Sequence, residues 1–269
     1  MSLIKDLAIL SREIKYLPFI FSTNDGDANA TWDETKILND FAKNIPSIAK
    51  LTLEAGFGVG NWTDFPRIEK FGEIKKTGER WFFINGICTD YDQTFFANGK
   101  YLSYLFGTQI TGMYNPTHGV TPDLVECVTG RTFNIKEPFN IAYSTVIENA
   151  MKAGYKVKLI GHSQGGIIVS NIVRTLLLKK VDFRNLEVFT FASAADGEQS
   201  QTNLFQEHFG NEEDMVSRIG LQAKEYYPKI FWKRAGGKGH LLNRNYLNAF
   251  VQGKLCGKKS KLYSYLTVK

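Results

Sequence analysis

Cysteine is scarce in this chain of 269 residues: Cys88, Cys127 and Cys256 lie far apart and never form a C-x-x-C pair. An odd, widely spaced set points to free thiols in a reducing compartment, and it argues against a structural zinc site. No apolar run approaches the roughly 20 residues that a membrane-spanning helix needs. Internal repeats and linker-like stretches are also missing, so the length is read as one α/β domain with a sizeable core. At the N-terminus, Lys5, Asp6, Arg12, Glu13 and Lys15 interrupt Leu3, Ile4, Leu7, Ile9, Leu10 and Ile14. That spacing predicts an amphipathic helix rather than a secretory leader, and the expected location is the cytoplasm.

Nucleotide and calcium sites lack their signatures. Gly56 to Gly60 is glycine-rich but has neither G-x-G-x-x-G after a clear strand nor a P-loop lysine. Asn24-Asp25-Gly26-Asp27 is acidic, yet the D-x-D-x-D-G spacing and the closing glutamate of a calcium loop are absent, which leaves a turn. Neither a metal nor a cofactor is expected. The formal net charge is +6, with lysines concentrated at 254, 258, 259, 261 and 269. Such a tail attracts anionic surfaces, but no aromatic-basic motif accompanies it. Nucleic acid is therefore not an expected partner; a solvated basic face and a transient contact with a membrane surface both remain open.

What the chain does have is alternation of buried strands and helices. Arg80-Trp81-Phe82-Phe83-Ile84 and Leu186 to Ala192 are continuous apolar strands, and residues 155–160 and 109–114 read as two more. Pro138 to Ala153 has apolar residues at helical spacing, residues 123–130 read as a shorter helix, and another helix runs to Lys180. Strand and helix thus alternate from Trp81 to about Asn211, which implies a mostly parallel sheet with helices on both faces. Residues 1–75 read as an extension containing two helices, the second from Thr31 or Asp33 to Lys50, ahead of a core at 76–269.

Six residues organise this core: Gly161-His162-Ser163-Gln164-Gly165-Gly166. They fall between a strand and the apolar helix that opens at Ile167-Ile168-Val169. G-x-S-x-G in that context is a nucleophile elbow, with the serine at the tip of a strained turn and glycines that let strand and helix approach closely. Ser163 is the candidate nucleophile. His162, as its immediate neighbour, is expected to point away and to pack.

From these residues the chain resembles the α/β-hydrolases, and Gly-His-Ser-Gln-Gly is most similar to the elbow of lipases and esterases. The resemblance covers roughly Trp81 to Leu242. It implies an α/β-hydrolase fold and cleavage of a carboxylic ester in a small molecule or lipid, through an acyl-enzyme and without a cofactor. It also implies the order serine, acid, histidine along the chain. His118 precedes the nucleophile. Of the two histidines that follow, His208 would precede its own acid, whereas His240 lies in the glycine-rich loop Gly236-Gly237-Lys238-Gly239-His240. His240 is the candidate base. For the acid, Asp214 in Asn211-Glu212-Glu213-Asp214-Met215-Val216 resembles the Asn-x-x-Asp-x-Val segment of lipases, including the class 3 lipases; Asp196, after the preceding strand, is the alternative. The oxyanion donors implied are the backbone amides of Ile87 and Gln164, although Asn85-Gly86 stands where relatives carry His-Gly.

Several alternatives stay open at this level. The aromatics Phe95, Phe96, Tyr101, Tyr104 and Phe106 fit either a lid over the site or the buried face of a helix. An acyltransferase or thioesterase would use the same triad, and a catalytically silent hydrolase fold would serve as an interaction module.

Overall fold

A strand that is apolar on successive residues belongs inside a sheet covered on both faces. The computed structural model describes residues 8–9, 11–13, 15–16, 67–86, 89, 91–116, 137–195, 203–223, 228 and 230–268. In it, Trp81-Phe82-Phe83-Ile84 is the buried part of β2 (Glu79–Ile84). β3 (Ile110–Tyr114), β4 (Lys156–His162), β5 (Leu186–Phe191) and β6 (Phe205–Asn211) run parallel to it. Short strands form the edges: β1 (Arg67–Phe71) is antiparallel to β3, and β7 (Phe231–Arg234) is parallel to β6. The seven strands are ordered β1-β3-β2-β4-β5-β6-β7.

The strand order reverses at β2 and β4, and the helices change faces there. α1 (Phe96–Phe106) joins β2 to β3, α2 (Glu137–Lys152) joins β3 to β4, and α3 (Gln164–Leu178) follows β4. Right-handed crossovers running in opposite directions along a sheet must lie on opposite faces. Accordingly, α1 packs with Trp81 and Phe83, while α2 and α3 pack with Phe82 and Ile84. This is the mostly parallel sheet with helices on both faces that the α/β-hydrolase resemblance implies. Ligand sites in such sheets form outside the carboxyl ends of the strands where the order reverses. Gly86 after β2 and Ser163 after β4 both lie there.

The aromatic stretch is core. A wide helical turn over Tyr91–Phe95 leads into α1, with Phe95 and Phe106 fully buried and Tyr101 nearly so. Trp81 stacks on Phe106 with ring centres 4.8 Å apart. Each such side chain contributes on the order of 1.5–3 kcal/mol by leaving water, so this helix is held down rather than poised as a lid. Among the stretch's aromatic side chains whose burial is described, Tyr104 is the strongly exposed one.

Residues 67–71, assigned from sequence to the N-terminal extension, extend the sheet as β1. Of the first expected helix, residues 8–9 and 11–13 are helical. The second expected helix, the acidic turn at residues 24–27, the glycines at 56–60 and the short helix at 123–130 lie outside the described residues. No helix among the described residues is long and apolar enough to cross a membrane.

At the turn from β4 into α3, the first turn of the helix presses against the end of β2. A Cβ on Gly165 would overlap the Ile84 carbonyl oxygen and stand 2.7 Å from that of Asn85. These are backbone atoms inside a sheet and have no room to yield. Gly165→Ala should therefore destabilise the protein by about 1–3 kcal/mol, the usual cost of overpacking, in urea denaturation. Gly78→Ala, where an added Cβ meets nothing within 4 Å, should stay within about 0.5 kcal/mol of the starting protein.

Candidate active site

Ser163 sits at the tip of the elbow with φ 57° and ψ −124°, a conformation that a residue with a side chain avoids. The turn is latched to its neighbours: the Ser163 amide donates to the Phe191 carbonyl at 3.0 Å, and the Ser163 carbonyl accepts from Gly166 and Ala194 at 2.9 and 3.1 Å. The side chain is thereby fixed at the sheet end.

The structure brings the three candidate residues together. Ser163 Oγ lies 2.8 Å from His240 Nε2, and His240 Nδ1 lies 2.9 Å from Asp214 Oδ2 and 3.1 Å from Oδ1. A carboxylate beside Nδ1 favours the tautomer that carries its proton there, which leaves Nε2 to accept the hydrogen of the serine hydroxyl. All three residues are buried, so the chain of hydrogen bonds is closed to solvent in this structure. That arrangement can transfer a proton from Ser163 to His240 while the oxygen attacks an electrophile.

Asp214 is held by more than the histidine. It caps α4 (Met215–Ile219), its Oδ1 accepting from the Val216 amide at 3.0 Å. Its Oδ2 accepts from the Tyr246 hydroxyl at 2.5 Å. Burial, together with the Asp214 anion, pushes the Tyr246 hydroxyl well above its ordinary pKa, so it remains a donor. The same oxygen accepts from the Asn211 amide at 2.9 Å. Asn211 itself is a hub: its side-chain nitrogen donates to the Gly239 carbonyl at 3.0 Å, immediately before His240, and its oxygen accepts from Arg234 Nε at 2.8 Å. The loops that carry Asp214 and His240 are thus tied to one asparagine.

His162 does pack, as its position suggests, but its partner is His240, the candidate base. The two imidazoles lie with centres 4.8 Å apart, and His162 Nε2 is 2.8 Å from the His240 carbonyl oxygen. A carbonyl only accepts, so Nε2 carries the proton and donates. Burial and the nearby His240 imidazole hold His162 well below the ordinary histidine pKa, and it stays neutral. His208 lies elsewhere, 2.7 Å from the Thr190 hydroxyl through Nδ1, and burial lowers it to about 3.

A second polar network secures the opposite wall. Asn85 Oδ1 accepts from the Asn115 amide at 2.7 Å, and Asn85 Nδ2 donates to the carbonyls of Asn115 and Gly86 at 2.8 and 3.0 Å. Asn115 Nδ2 in turn donates to Gln164 Oε1 at 2.7 Å. The strand ends of β2 and β3 are joined in this way to the residue after the nucleophile. Gly86 has no space for a side chain, since a Cβ would run into Ser163 and stand 3.0 Å from His162 Nδ1. The Gln164 amide stands in the first turn of α3, beside Ser163. Ile87, Asp196, His118, Cys88 and Cys127 lie outside the described residues.

Among the described residues, no group of three or more His, Cys, Asp or Glu could hold a metal ion. Cys256 is buried and its thiol is pushed up to about 12 by that burial, which makes it a poor rival nucleophile. Ser163, His240 and Asp214, which meet here, were singled out from the sequence, whereas Tyr246, Asn85 and Asn115 carried no motif. Asn211 was visible only as the first letter of Asn-x-x-Asp.

Comparison with protein-family models and with curated proteins finds no match. Among solved structures, the chain is similar to carboxyl esterase 2 from the fungus Tuber melanosporum, at 11% identity over 80% of this chain and 91% of that one, with a TM-score of 0.43. Trichoderma reesei cutinase, solved with a phosphonate inhibitor, matches at 15% identity over 69% and 86%, with a TM-score of 0.36. The hyperthermophilic esterase from Pyrobaculum calidifontis matches at 15% identity over 61% of this chain, with a TM-score of 0.32. That match spans about half of the esterase, 54% of its length.

Removing the acid's charge should leave His240 free to adopt the wrong tautomer. Asp214→Asn is expected to lower kcat for an activated ester by roughly 10³ to 10⁴ with little change in KM, and Asp196→Asn by less than about tenfold. Tyr246→Phe, which deletes one charge-assisted hydrogen bond, should fall between them at about tenfold. Steady-state kinetics at matched folding checks the series. A crippled Asp196→Asn beside a nearly normal Asp214→Asn would move the acid to the end of β5.

Proposed function

We propose that the chain is a carboxylic ester hydrolase of the lipase and esterase type, working through an acyl-enzyme on Ser163. The observation that carries this reading is the unbroken chain of contacts from Ser163 Oγ to His240 at 2.8 Å and from His240 to Asp214 at 2.9 Å. The elbow Gly-His-Ser-Gln-Gly and the Asn-x-x-Asp-x-Val segment, both like those of lipases and esterases, point to esters as the substrate class.

In the first half-reaction Ser163 Oγ attacks the ester carbonyl carbon and its proton passes to His240 Nε2. Asp214 keeps Nδ1–H directed toward itself and stabilises the imidazolium. The tetrahedral oxyanion is received by the Gln164 amide at the start of α3 and by the Ile87 amide. The intermediate collapses, the C–O bond to the alcohol breaks, and the departing oxygen takes the proton from Nε2. Water then gives a proton to Nε2 and attacks the acyl group, and the second collapse returns the proton to Ser163 Oγ. Each step uses these side chains and water, without a cofactor.

The substrate on this reading is a small ester or a lipid, and the lysine-rich tail would serve a transient contact with an anionic membrane surface. Sheet, helices and site would act as one catalytic unit. Ser163→Ala should reduce hydrolysis of p-nitrophenyl butyrate by on the order of 10⁴ or more while circular dichroism is unchanged. Unaltered turnover would sink the assignment, and the absence of any turnover in the unaltered protein would favour a silent interaction module.

A further inference from the structure

We propose that the N-terminal segment is a positioning element of the active site, in which Glu13, acting through Arg218, holds the acid loop that carries Asp214. This rests on the reading of Asp214 as the triad acid.

The contacts are of different kinds and converge on α4. Glu13 is a carboxylate only 3% exposed, and it accepts from Arg218 Nε at 2.5 Å and from Arg12 Nε at 2.7 Å. Burial pushes the Glu13 carboxyl up, but the guanidinium groups of Arg218 and Arg12 together outweigh it and hold it below the usual range, so it is charged at neutral pH. The Arg218 guanidinium lies 4.2 Å from the centre of the Tyr16 ring. Ile9 packs against Ile219 and Ala223. A buried carboxylate stripped of one guanidinium is costly, which makes the pairing strongly preferred once the segment docks.

Arg218 also reaches the acid loop. Its Nη1 donates to the Glu212 carbonyl at 3.0 Å, in the turn just before Asp214, and its backbone amide donates to the Asp214 carbonyl at 3.0 Å. The Arg218 side chain thus links the N-terminal segment to the backbone just before the acid, while its amide holds the carbonyl of the acid itself. α4 has five residues, too few to persist by itself, and its first turn is capped by the same Asp214 oxygen that faces His240. If the far end of α4 is released, the Val216 amide leaves Asp214, and the carboxylate can rotate away from His240 Nδ1. Glu13 and Arg218 touch no reacting atom and act only through this loop.

The test compares Glu13→Gln, which keeps length but removes charge, with Arg218→Lys, which keeps charge but cannot reach Glu13 and the Glu212 carbonyl together. Both are measured well below their unfolding midpoints. The first readout is kcat and KM for p-nitrophenyl butyrate; the second is the downfield proton resonance of the hydrogen bond between His240 Nδ1 and Asp214, which needs no turnover. kcat is expected to fall about tenfold in Arg218→Lys and severalfold in Glu13→Gln at unchanged KM, the scale of a small misplacement transmitted to the chemistry. The resonance should shift or broaden in both. A purely structural role would lower the unfolding midpoint while leaving kcat and the resonance as they were, and that result overturns the proposal. If the unaltered protein shows no ester turnover, the hydrolase reading fails, and the resonance alone decides whether Glu13 holds Asp214 against His240.

Discussion

Everything at this site depends on keeping Ser163 at a positive φ. Such a backbone conformation costs about 1–3 kcal/mol at a residue with a side chain and survives only where the surroundings over-determine it. Here both backbone polar groups of Ser163 are engaged with the end of β5 and the start of α3. The same edge holds a second strained residue, Ala192 at φ 51°, whose amide donates to the Phe209 carbonyl at 2.8 Å. Strain at the sheet end therefore sits after β4 and after β5, and each strained residue is bonded back to the next strand. The aromatic core beneath them, with Phe191 stacked on Phe209 at 4.8 Å, supplies the rigidity that makes it tolerable.

The polar groups around Ser163, His240 and Asp214 follow the same logic. Burying a carboxylate and two histidines is costly unless each is hydrogen-bonded, and a half-satisfied network is worse than none. Asp214 meets this condition with Val216, Tyr246 and His240, and His162 does so with the His240 carbonyl. Because Asn211 binds the backbone before His240 and, through Tyr246, is linked to Asp214, these two residues cannot drift separately. The placing of His240 depends as much on these neighbours as on Ser163 and Asp214.

The sheet was legible because its central strands are buried on both faces, which writes a continuous apolar run into β2 and β5. The edges were not. Arg67-Ile68-Glu69-Lys70-Phe71 is largely exposed and mixes charge with apolar residues, and Phe231-Trp232-Lys233-Arg234 is only four residues long, so neither carries a period that identifies a strand. Ser163 was legible because its conformation demands glycines at fixed offsets, and His240 because only two histidines follow Ser163 and the other, His208, would precede its own acid. Tyr246 lies 32 residues from its partner Asp214, and Glu13 lies 205 from Arg218; no local spacing records either pairing. The aromatic stripe at residues 91–106 shows the limit of pattern alone, since a lid and a core helix share one periodicity. Complete burial of Phe95 and Phe106 decides it.

The central claim is that Ser163 is made nucleophilic by His240. Reaction with a fluorophosphonate followed by peptide mapping tests it most directly, because the reagent bonds covalently only to an activated serine. A single adduct is expected on the peptide containing Ser163, formed at least about a hundredfold more slowly in His240→Ala. An adduct on another residue, or one that forms on Ser163 at the same rate without His240, would contradict it.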